Sequence, residues 1–419
     1  MLNLAKRLAS FTALPFLSLL VPLVALPVVA RVGGVDGWSA LAIGQAIGSY
    51  AAAVAFVGWN VLGTPLVAVA ASVSDRRELY RRSIYVRSLV LVLVAPLAAL
   101  IASSIAPAET RHVAAIFAVG AALSALGIAW YAVGISSPAT IALYELLPRA
   151  VVTAVAVPLV LLTGEVMIYA LSLIVAPLAG LVAFHQRNFG RVWPRWPGWV
   201  VVRAGLLGRK AAWSVEITGN LYANAPVPVA AALGDPADAA SYSSGDRLYR
   251  YSLYAVVAFG NALQGWVLEV IGEQRRRRNI FAICAMTALG VCGGVALALL
   301  GRWLTALLFG QAVAVESITM LWLGIAFTSV AISTALIRNI LMPARMDRAV
   351  LITTLISAFL GVATMLIAVL WWGASGVAAG LALSEFVTLT TCAALAYRVG
   401  LVPHAGERRG HSDLGEGEG

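Results

Sequence analysis

The chain has 419 residues, of which 61% are apolar and only 11% are charged. An average soluble domain is about half apolar and about a quarter charged, because a soluble surface needs its charges. A mean hydropathy of +0.90 over the whole length therefore indicates a polytopic integral membrane protein. Soluble enzymes, nucleic-acid-binding modules and secreted disulfide scaffolds are excluded. The net charge of +10 comes from side chains that lie between apolar runs, where charges direct membrane topology.

Runs of about 20 apolar residues are long enough to cross a hydrocarbon core about 30 Å thick as helices. We predict a helix for each run because lipid satisfies no backbone hydrogen bonds. The first run follows Lys6 and Arg7 and is longer than the apolar region of a cleaved signal peptide, so we interpret it as a membrane helix. Twelve such runs occur: 10–30, 38–71, 83–105, 111–134, 139–162, 165–185, 209–233, 243–272, 279–300, 314–339, 346–371 and 374–398.

The positively charged side chains support this number of helices. With the N-terminus placed in the cytoplasm, 24 of the 29 Lys and Arg residues fall in segments on the cytoplasmic side. The other five lie outside: Arg31, Arg111, Arg247, Arg250 and Arg302. If one helix had been missed or added, every later loop would be assigned to the wrong side of the membrane, and the positive-inside bias would be lost there. We therefore predict a multi-pass protein of the cytoplasmic membrane with both termini in the cytoplasm.

Weak internal similarity predicts two six-helix bundles. A shift of 202 residues overlays Gly58 on Gly260, and a shift of 199 residues overlays Arg149 on Arg348. Two repeats of the same orientation are related by a pseudo-two-fold axis along the membrane normal. Three tryptophans near the midpoint suit the membrane interface: Trp193, Trp196 and Trp199. We predict an N-terminal bundle over 1–185, a cytoplasmic or interfacial linker over 186–208, a C-terminal bundle over 209–398 and a disordered cytoplasmic tail over 399–419.

Charged and amide side chains within membrane helices are costly in lipid and are therefore candidate functional residues. In the seventh predicted helix, Glu216, Asn220 and Asn224 are spaced i, i+4, i+8 and share one face. In the eighth, one face carries Arg247, Arg250, Tyr254, Asn261 and Gln264. Because the loop between these helices is short, we expect both faces to line one cavity. Two alternatives stay open: the amides join helices by hydrogen bonds, or the two arginines reach the outer headgroups.

The first half of the chain offers fewer polar side chains within its helices. Gln45 and Asn60 lie in the second predicted helix, and Arg87 lies near the start of the third. Arg149 lies at the start of the fifth, four residues after Glu145, a spacing that allows these two side chains to form an ion pair instead of binding a ligand.

Two acids are candidates for coupling to protons or ions, Glu216 and Glu385. Glu385 is a lone acid in the last predicted helix, and a neutral carboxyl bonded to a hydroxyl is the equal alternative. The three cysteines lie inside apolar runs without CxxC spacing, and no zinc, nucleotide-binding or hydrolase motif occurs in the sequence. We therefore expect no metal, no cofactor and no catalytic residue.

Guanidinium groups within a membrane cavity favour an anionic ligand. Arg stays charged and binds phosphate or carboxylate oxygens in pairs. Outward arginines with an inward acid and amides suit an anionic lipid headgroup that carries a sugar-like group. A cavity for a hydrophobic organic cation would favour acids and aromatic side chains instead.

Several stretches of the chain are similar to those of one transporter family. They are Gly44-Gln45-Ala46, Phe56-Val57-Gly58-Trp59-Asn60, Ser83 to Arg87, Trp130-Tyr131, Leu147-Pro148-Arg149 and Leu307-Leu308-Phe309-Gly310. With twelve predicted helices, short loops and a basic linker, residues 5–398 resemble the polysaccharide flippases of the O-antigen (Wzx) type. These belong to the multidrug/oligosaccharidyl-lipid/polysaccharide (MOP) exporter superfamily.

This resemblance implies a flippase that moves a polyprenyl-diphosphate-linked oligosaccharide from the inner to the outer leaflet by alternating access. In that family, cationic cavity residues are thought to hold the diphosphate. The matching positions here are Arg247 and Arg250, followed by Arg149 and Arg87, whereas Gln45 stands where a positive charge is expected. The implied partners are an anionic lipid-linked oligosaccharide, membrane lipids, and the polymerase and glycosyltransferases of cell-surface polysaccharide synthesis. Nucleic acid is not among them.

Two other functions compete with this interpretation. A cation-coupled multidrug or small-molecule exporter of the same fold would need acids in the first bundle. However, predicted helices 1, 2 and 4 contain no Asp or Glu between the membrane boundaries. A membrane glycosyltransferase or oligosaccharide polymerase would need a sizeable outside domain, but the longest predicted outside loop runs only from Gly234 to Asp246. We therefore interpret the chain as a transporter and not as an enzyme.

Overall fold

The structure, a computed structural model, describes residues 2–190 and 195–399. Helices and turns make up the described residues, and no strand occurs among them. Eight of the described helices are long and apolar enough to cross a membrane. The all-helical, polytopic fold class is therefore confirmed. Trp193 of the predicted linker and the predicted tail from residue 400 lie outside the described residues.

The first half of the chain forms long helices interrupted by short ones. Ser72 begins the third helix with a capping box, in which its hydroxyl accepts from the Asp75 N–H and the Asp75 carboxylate accepts from the Ser72 N–H. A π-helical turn at Ala142–Leu146 precedes the seventh. The helices are α1 (Leu2–Phe56), α2 (Trp59–Val69), α3 (Val73–Ile105), α4 (Arg111–Ala122), α5 (Ala129–Gly134), α6 (Pro138–Ile141), α7 (Leu147–Thr163) and α8 (Met167–Phe189).

The second half follows the same pattern. A second π-helical turn, Ile337–Leu341, continues the fourteenth helix. The helices are α9 (Trp199–Leu207), α10 (Lys210–Asn224), α11 (Pro226–Leu233), α12 (Pro236–Leu268), α13 (Gly272–Phe309), α14 (Ser317–Leu336) and α15 (Asp347–Val399).

Helices α1 and α15 are longer than a membrane is thick. They contain 55 and 53 residues, whereas about 20 residues cross the hydrocarbon core. Each contains one glycine with non-helical backbone angles, Gly34 in α1 and Gly373 in α15. Because glycine adopts positive φ without a steric penalty, these positions turn the chain between two passes. With these turns, all twelve predicted runs overlap helices, although 38–71, 111–134 and 209–233 each contain a break in the helix.

The chain divides into two compact units. Unit 1 comprises the described chain up to Ser243 together with Ala306–Val313, and unit 2 comprises Ser244–Thr305 and the described chain from Ala314. The Ala306–Val313 segment joins the core of unit 1 through Phe309, whose ring centroid lies 5.0 Å from that of buried Trp38. Unit 1 also contains α10 and α11, which the sequence assigns to the C-terminal bundle. The bundle boundaries themselves stay a prediction.

Candidate functional site

A cavity lies within unit 1, among α1, α4, α7 and α8. Its empty volume, including its open side, is about 910 Å³. A smaller cavity of about 490 Å³ adjoins it, because Ser124, Arg149, Ala176 and Pro177 line both. Polar side chains from several helices contribute to the larger cavity: Gln45, Ser49, Ser124, Arg149, Thr153, Tyr169 and Ser172.

Arg149 gives the larger cavity its charge. It lies in the first turn of α7 and is exposed. No Asp or Glu is among the described residues that line this cavity. Within the part of the chain that the structure describes, Arg149 also has no ion-pair partner. The larger cavity is therefore formally positive, whereas Glu145 lines the smaller cavity together with Arg149. Gln45, the position where the family resemblance implies a positive charge, lies in the larger cavity.

Arg87, which the sequence places in the cavity, is instead fully buried, with 0% exposure. Its guanidinium donates hydrogen bonds to the carbonyls of Ala125 at 2.7 Å and Gly127 at 2.8 Å. These carbonyls lie between α4 and α5, where the helix is interrupted and carbonyls lose their intrahelical donors. The guanidinium also lies 5.5 Å from the ring centroid of Trp130. Arg87 therefore stabilises a helix break in the core and does not line the cavity.

Glu145 stabilises the same break from the other side. Its Oε1 accepts hydrogen bonds from the N–H groups of Ile128 at 2.6 Å and Ala129 at 2.8 Å. A carboxylate at a helix N-terminus is also favoured by the helix dipole. Glu145 lies in the π-helical turn before α7, a distortion that changes the direction of side chains. The i, i+4 spacing to Arg149 therefore does not produce the expected ion pair, because the Glu145 carboxylate binds backbone N–H groups.

A second helix break separates α1 from α2. Val57 and Gly58 both adopt left-handed conformations, with φ of 51° and 71°. Ahead of the break, the carbonyl of Val54 accepts a hydrogen bond from the indole N–H of Trp213 at 2.8 Å. Trp213 belongs to α10, so a helix distant in sequence satisfies the backbone at this break.

Glu216 and Asn60, both predicted site residues, meet at this second break. Glu216 is only 8% exposed, and its carboxylate accepts hydrogen bonds from the side chain of Asn60 and from the N–H of Gly58. Its other oxygen, Oε2, is buried and has no hydrogen-bond partner in the described ranges. The Arg87 charge acts on Glu216 through space. One face of α10 therefore provides both an acceptor, Glu216, and a donor, Trp213, for the break between α1 and α2.

Asn220 and Asn224 use their amide hydrogens within α10. The Nδ2 of Asn220 donates to the carbonyl of Glu216 at 3.0 Å, and the Nδ2 of Asn224 donates to the carbonyl of Asn220 at 3.2 Å. Both side chains are half-buried. A role for these amides in holding substrate stays a prediction.

In unit 2, the two predicted arginines of α12 have different neighbours. Arg250 forms an ion pair with Asp246, with Nε and Oδ2 2.6 Å apart. Arg247 forms a hydrogen bond with the side chain of Tyr251. Asp246 offsets one of the two positive charges, so the expected cationic pair carries less net charge than its sequence indicates.

Asn261, further along α12, accepts a hydrogen bond from Arg338. Arg338 lies in the π-helical turn after α14 and was not among the predicted site residues. Gln264 and Glu385 are half-buried. No group of three or more His, Cys, Asp or Glu side chains able to hold a metal comes together in residues 2–190 and 195–399.

Sequence reasoning missed the roles of Trp213 and Arg338. Trp213 lies three residues before Glu216 and therefore shares its helix face, a signal that was present in the spacing. Arg338 gave no such signal, because its partner Asn261 lies 77 positions earlier in the chain. A π-helical turn shifts the helical register, so the 3.6-residue period does not place Arg338.

Two solved structures share this fold. The first is the inward-facing conformation of a multidrug resistance MATE family transporter of the MOP superfamily, with a TM-score of 0.58 and 14% sequence identity. That match covers 90% of this chain and 94% of the other. The second is the eukaryotic MATE transporter AtDTX14, with a TM-score of 0.52, 12% identity, and coverage of 96% and 97%.

At these identities the likeness shows the fold alone, which this chain shares with these two MATE transporters. No protein-family profile matches the chain. No curated protein sequence matches it either.

Proposed function

We propose that this protein, which has the fold of MOP-superfamily transporters, is a flippase for a polyprenyl-diphosphate-linked oligosaccharide. It acts by alternating access in the cytoplasmic membrane, with both termini in the cytoplasm, and serves cell-surface polysaccharide synthesis. The observation that carries this proposal is Arg149, an exposed arginine in a unit 1 cavity whose described lining contains no acid. A positive cavity favours an anionic cargo over a cationic one.

The chemistry of the cavity suits a phosphate next to a sugar. Arginine remains charged and binds phosphate oxygens through two parallel N–H groups. Hydroxyl and amide side chains around it match sugar hydroxyls, and Gln45, Thr153 and Tyr169 line the same space. The space that a small molecule can occupy in this cavity is about 280 Å³, at the lower end of ligand cavities, which span roughly 300–1,000 Å³. The cavity can therefore hold the phosphate end of a headgroup, while the polyprenyl chain remains in lipid.

The arginines of unit 2 contribute less directly to this proposal. Arg250 is neutralised by Asp246, so Arg247 is the better candidate among the unit 2 arginines for binding phosphate. The proposed partners are the lipid-linked oligosaccharide, membrane lipids, and the enzymes that assemble and polymerise the oligosaccharide.

A second candidate is a cation-coupled multidrug exporter. The observation that favours it is Glu216, an acid that is 8% exposed and has one carboxylate oxygen without a partner in the described residues. Such a group can bind a proton or a cation. In an exporter of this kind, Glu216 would be the residue on which transport depends, and Arg149 would be dispensable.

Deletion of the protein from its own cell, followed by extraction of lipid-linked intermediates, separates the two candidates. We expect a diphosphate-linked oligosaccharide to accumulate on the cytoplasmic leaflet. The intact protein and the control variant Arg302→Ala should reverse this accumulation, whereas Arg149→Ala should not, at equal protein level. Arg302 is a suitable control because it is exposed and lies in α13 outside the cavity.

The opposite result would be an unchanged lipid-linked pool together with new sensitivity to cationic dyes. That outcome would reject the flippase and support the exporter, and Glu216→Gln would then be expected to abolish dye resistance.

A further inference from the structure

Helices α2 and α5 pack together as a pair of short segments. A Cβ added to Gly63 of α2 would lie 2.4 Å from a ring carbon of Trp130, and one added to Gly134 of α5 would lie 2.7 Å from the Cβ of Val67. The two helices therefore approach each other as closely as glycine allows. The Thr64 hydroxyl also donates to the carbonyl of Trp130 at 3.0 Å. We call α2 and α5 together the platform.

A helix break precedes each half of the platform, and the two breaks are held differently. The break before α5 is held by buried Arg87 of α3 and by half-buried Glu145 of the π-helical turn. The break before α2 is held by side chains of one separate helix, α10. The platform is thus anchored on the α5 side and contacted by α10 on the α2 side.

One face of α10 contacts the break before α2 through directional contacts. Trp213 and Glu216 are spaced i, i+3 in α10 and share this face, and Arg209 is the residue immediately before the helix. The guanidinium of Arg209 lies 3.9 Å from the ring centroid of Trp59. Trp213 donates to the Val54 carbonyl, and Glu216 accepts from the Gly58 N–H. We call these three residues at and just before the start of α10 the latch.

The backbone at the break before α2 adopts a strained conformation. Val57 has a φ of 51°, and a β-branched residue in the left-handed region is a genuine outlier. Such strain persists only where the surroundings determine it, and it concentrates at switch regions. Here the Val54 carbonyl and the Gly58 N–H, on the two sides of the strained Val57, both bond to side chains of α10. A helix break without a specific partner would not require the Val54 carbonyl and the Gly58 N–H to bond to the same helix.

We propose that the latch of α10 releases and re-engages the platform during the transport cycle, while the platform itself stays fixed. This rests on the proposed transporter function but not on the identity of the cargo. When the latch releases, the Val54 carbonyl and the Gly58 N–H lose their partners and are exposed to water. The N–H groups of Ile128 and Ala129 keep their bonds to Glu145 throughout.

Hydrogen exchange of backbone amides tests this directly, because both breaks contain N–H groups bonded to a single carboxylate. The experiment uses the full chain in lipid nanodiscs without added cargo, followed by mass spectrometry of peptides over residues 54–62 and 125–132. We expect the Gly58 amide to exchange at least about tenfold faster than those of Ile128 and Ala129, since local opening sets exchange rates. Equal protection of the two breaks in the unmodified protein would overturn the proposal.

Trp213→Phe provides the second arm, because it removes the indole donor and keeps an aromatic ring. Exchange over 54–62 should rise by about tenfold or more, and exchange over 125–132 should not change. Trp322→Phe in α14 is the matched control and should leave both peptides unchanged. A rise at both breaks, or at neither, contradicts a latch that acts on one break only. If Trp213→Phe does not fold, Glu216→Gln replaces it. The comparison of Gly58 exchange with Ile128 and Ala129 exchange in the unmodified protein then still tests the proposal. No result here depends on which molecule is transported.

Discussion

Arg87 and Arg149 are two arginines of unit 1 to which the sequence assigns the same role, and the structure places them in opposite surroundings. Arg87 lies in the core, and its hydrogen bonds go to carbonyls of a broken helix. Arg149 lies in the adjoining cavity and has no ion-pair partner among the described residues. An arginine within a membrane helix is costly, so it must have a reason to be there. For Arg87 that reason is the backbone, and for Arg149 we propose that it is a ligand.

Helix interruptions also differ in whether their surroundings are open or packed. The turn at Gly34 has no neighbouring atom within 4 Å of the position of a Cβ, whereas Gly58 lies against Ala212 and Trp213 of α10. A turn in an open place needs only a flexible residue. A break within a packed unit needs side chains that satisfy its carbonyls and N–H groups. Arg87 and Glu145 therefore stabilise a break, whereas Arg149 lines a cavity.

Arg87→Ala should produce the largest effect on stability. It removes a buried cation and leaves the Ala125 and Gly127 carbonyls without donors and Glu145 without its nearby positive charge. Leaving a buried acceptor without its donor costs about 1–3 kcal/mol in the free energy of unfolding, and Arg87→Ala does this to two carbonyls. Denaturant unfolding of the purified protein in detergent measures this. The matched variant Arg149→Ala should change the same quantity by less than about 0.5 kcal/mol. Similar losses for both variants would remove the distinction between them.

Gly58→Ala and Gly164→Ala compare two glycines with nearly the same backbone angles. Gly58 has φ 71° and ψ 7°, and Gly164 has φ 75° and ψ 4°. Each substitution should cost about 1 kcal/mol because alanine disfavours positive φ. Gly58→Ala should cost more, since its Cβ would lie 3.1 Å from the Cβ of Ala212, whereas Gly164 has open space.

The same unfolding experiment checks this smaller difference. Equal losses in the free energy of unfolding at the two glycines would mean that α10 moves away from the added Cβ at little cost, and therefore packs loosely against the break. A larger loss at Gly164 would contradict the packing described here.

Composition and hydropathy predicted the helical membrane fold, because lipid leaves the backbone few choices. All twelve apolar runs overlap helices, although the runs 38–71, 111–134 and 209–233 each contain a break that the sequence did not predict. Apolar length is a local property that one sequence displays, and this is why the helices could be predicted.

The break partners could not be predicted in the same way. Trp213 lies 159 positions from Val54, and Arg87 lies 38 and 40 positions from its carbonyl acceptors. Helical spacing relates residues three or four apart and has no information on such contacts. The π-helical turn that directs Glu145 toward Ile128 also departs from the 3.6-residue period. The identity of a break partner is therefore a tertiary property.

The most direct test of an anionic cargo in the Arg149 cavity is the affinity of the purified protein for a short-chain polyprenyl diphosphate, measured by calorimetric titration in detergent. We predict measurable binding that Arg149→Ala weakens about 10–100-fold, because a hydrogen bond to a charged group usually contributes this much. Arg302→Ala should leave the Kd unchanged. An Arg149→Ala protein that stays folded and binds the diphosphate as tightly as the unmodified chain would contradict the assignment of this cavity to an anionic cargo.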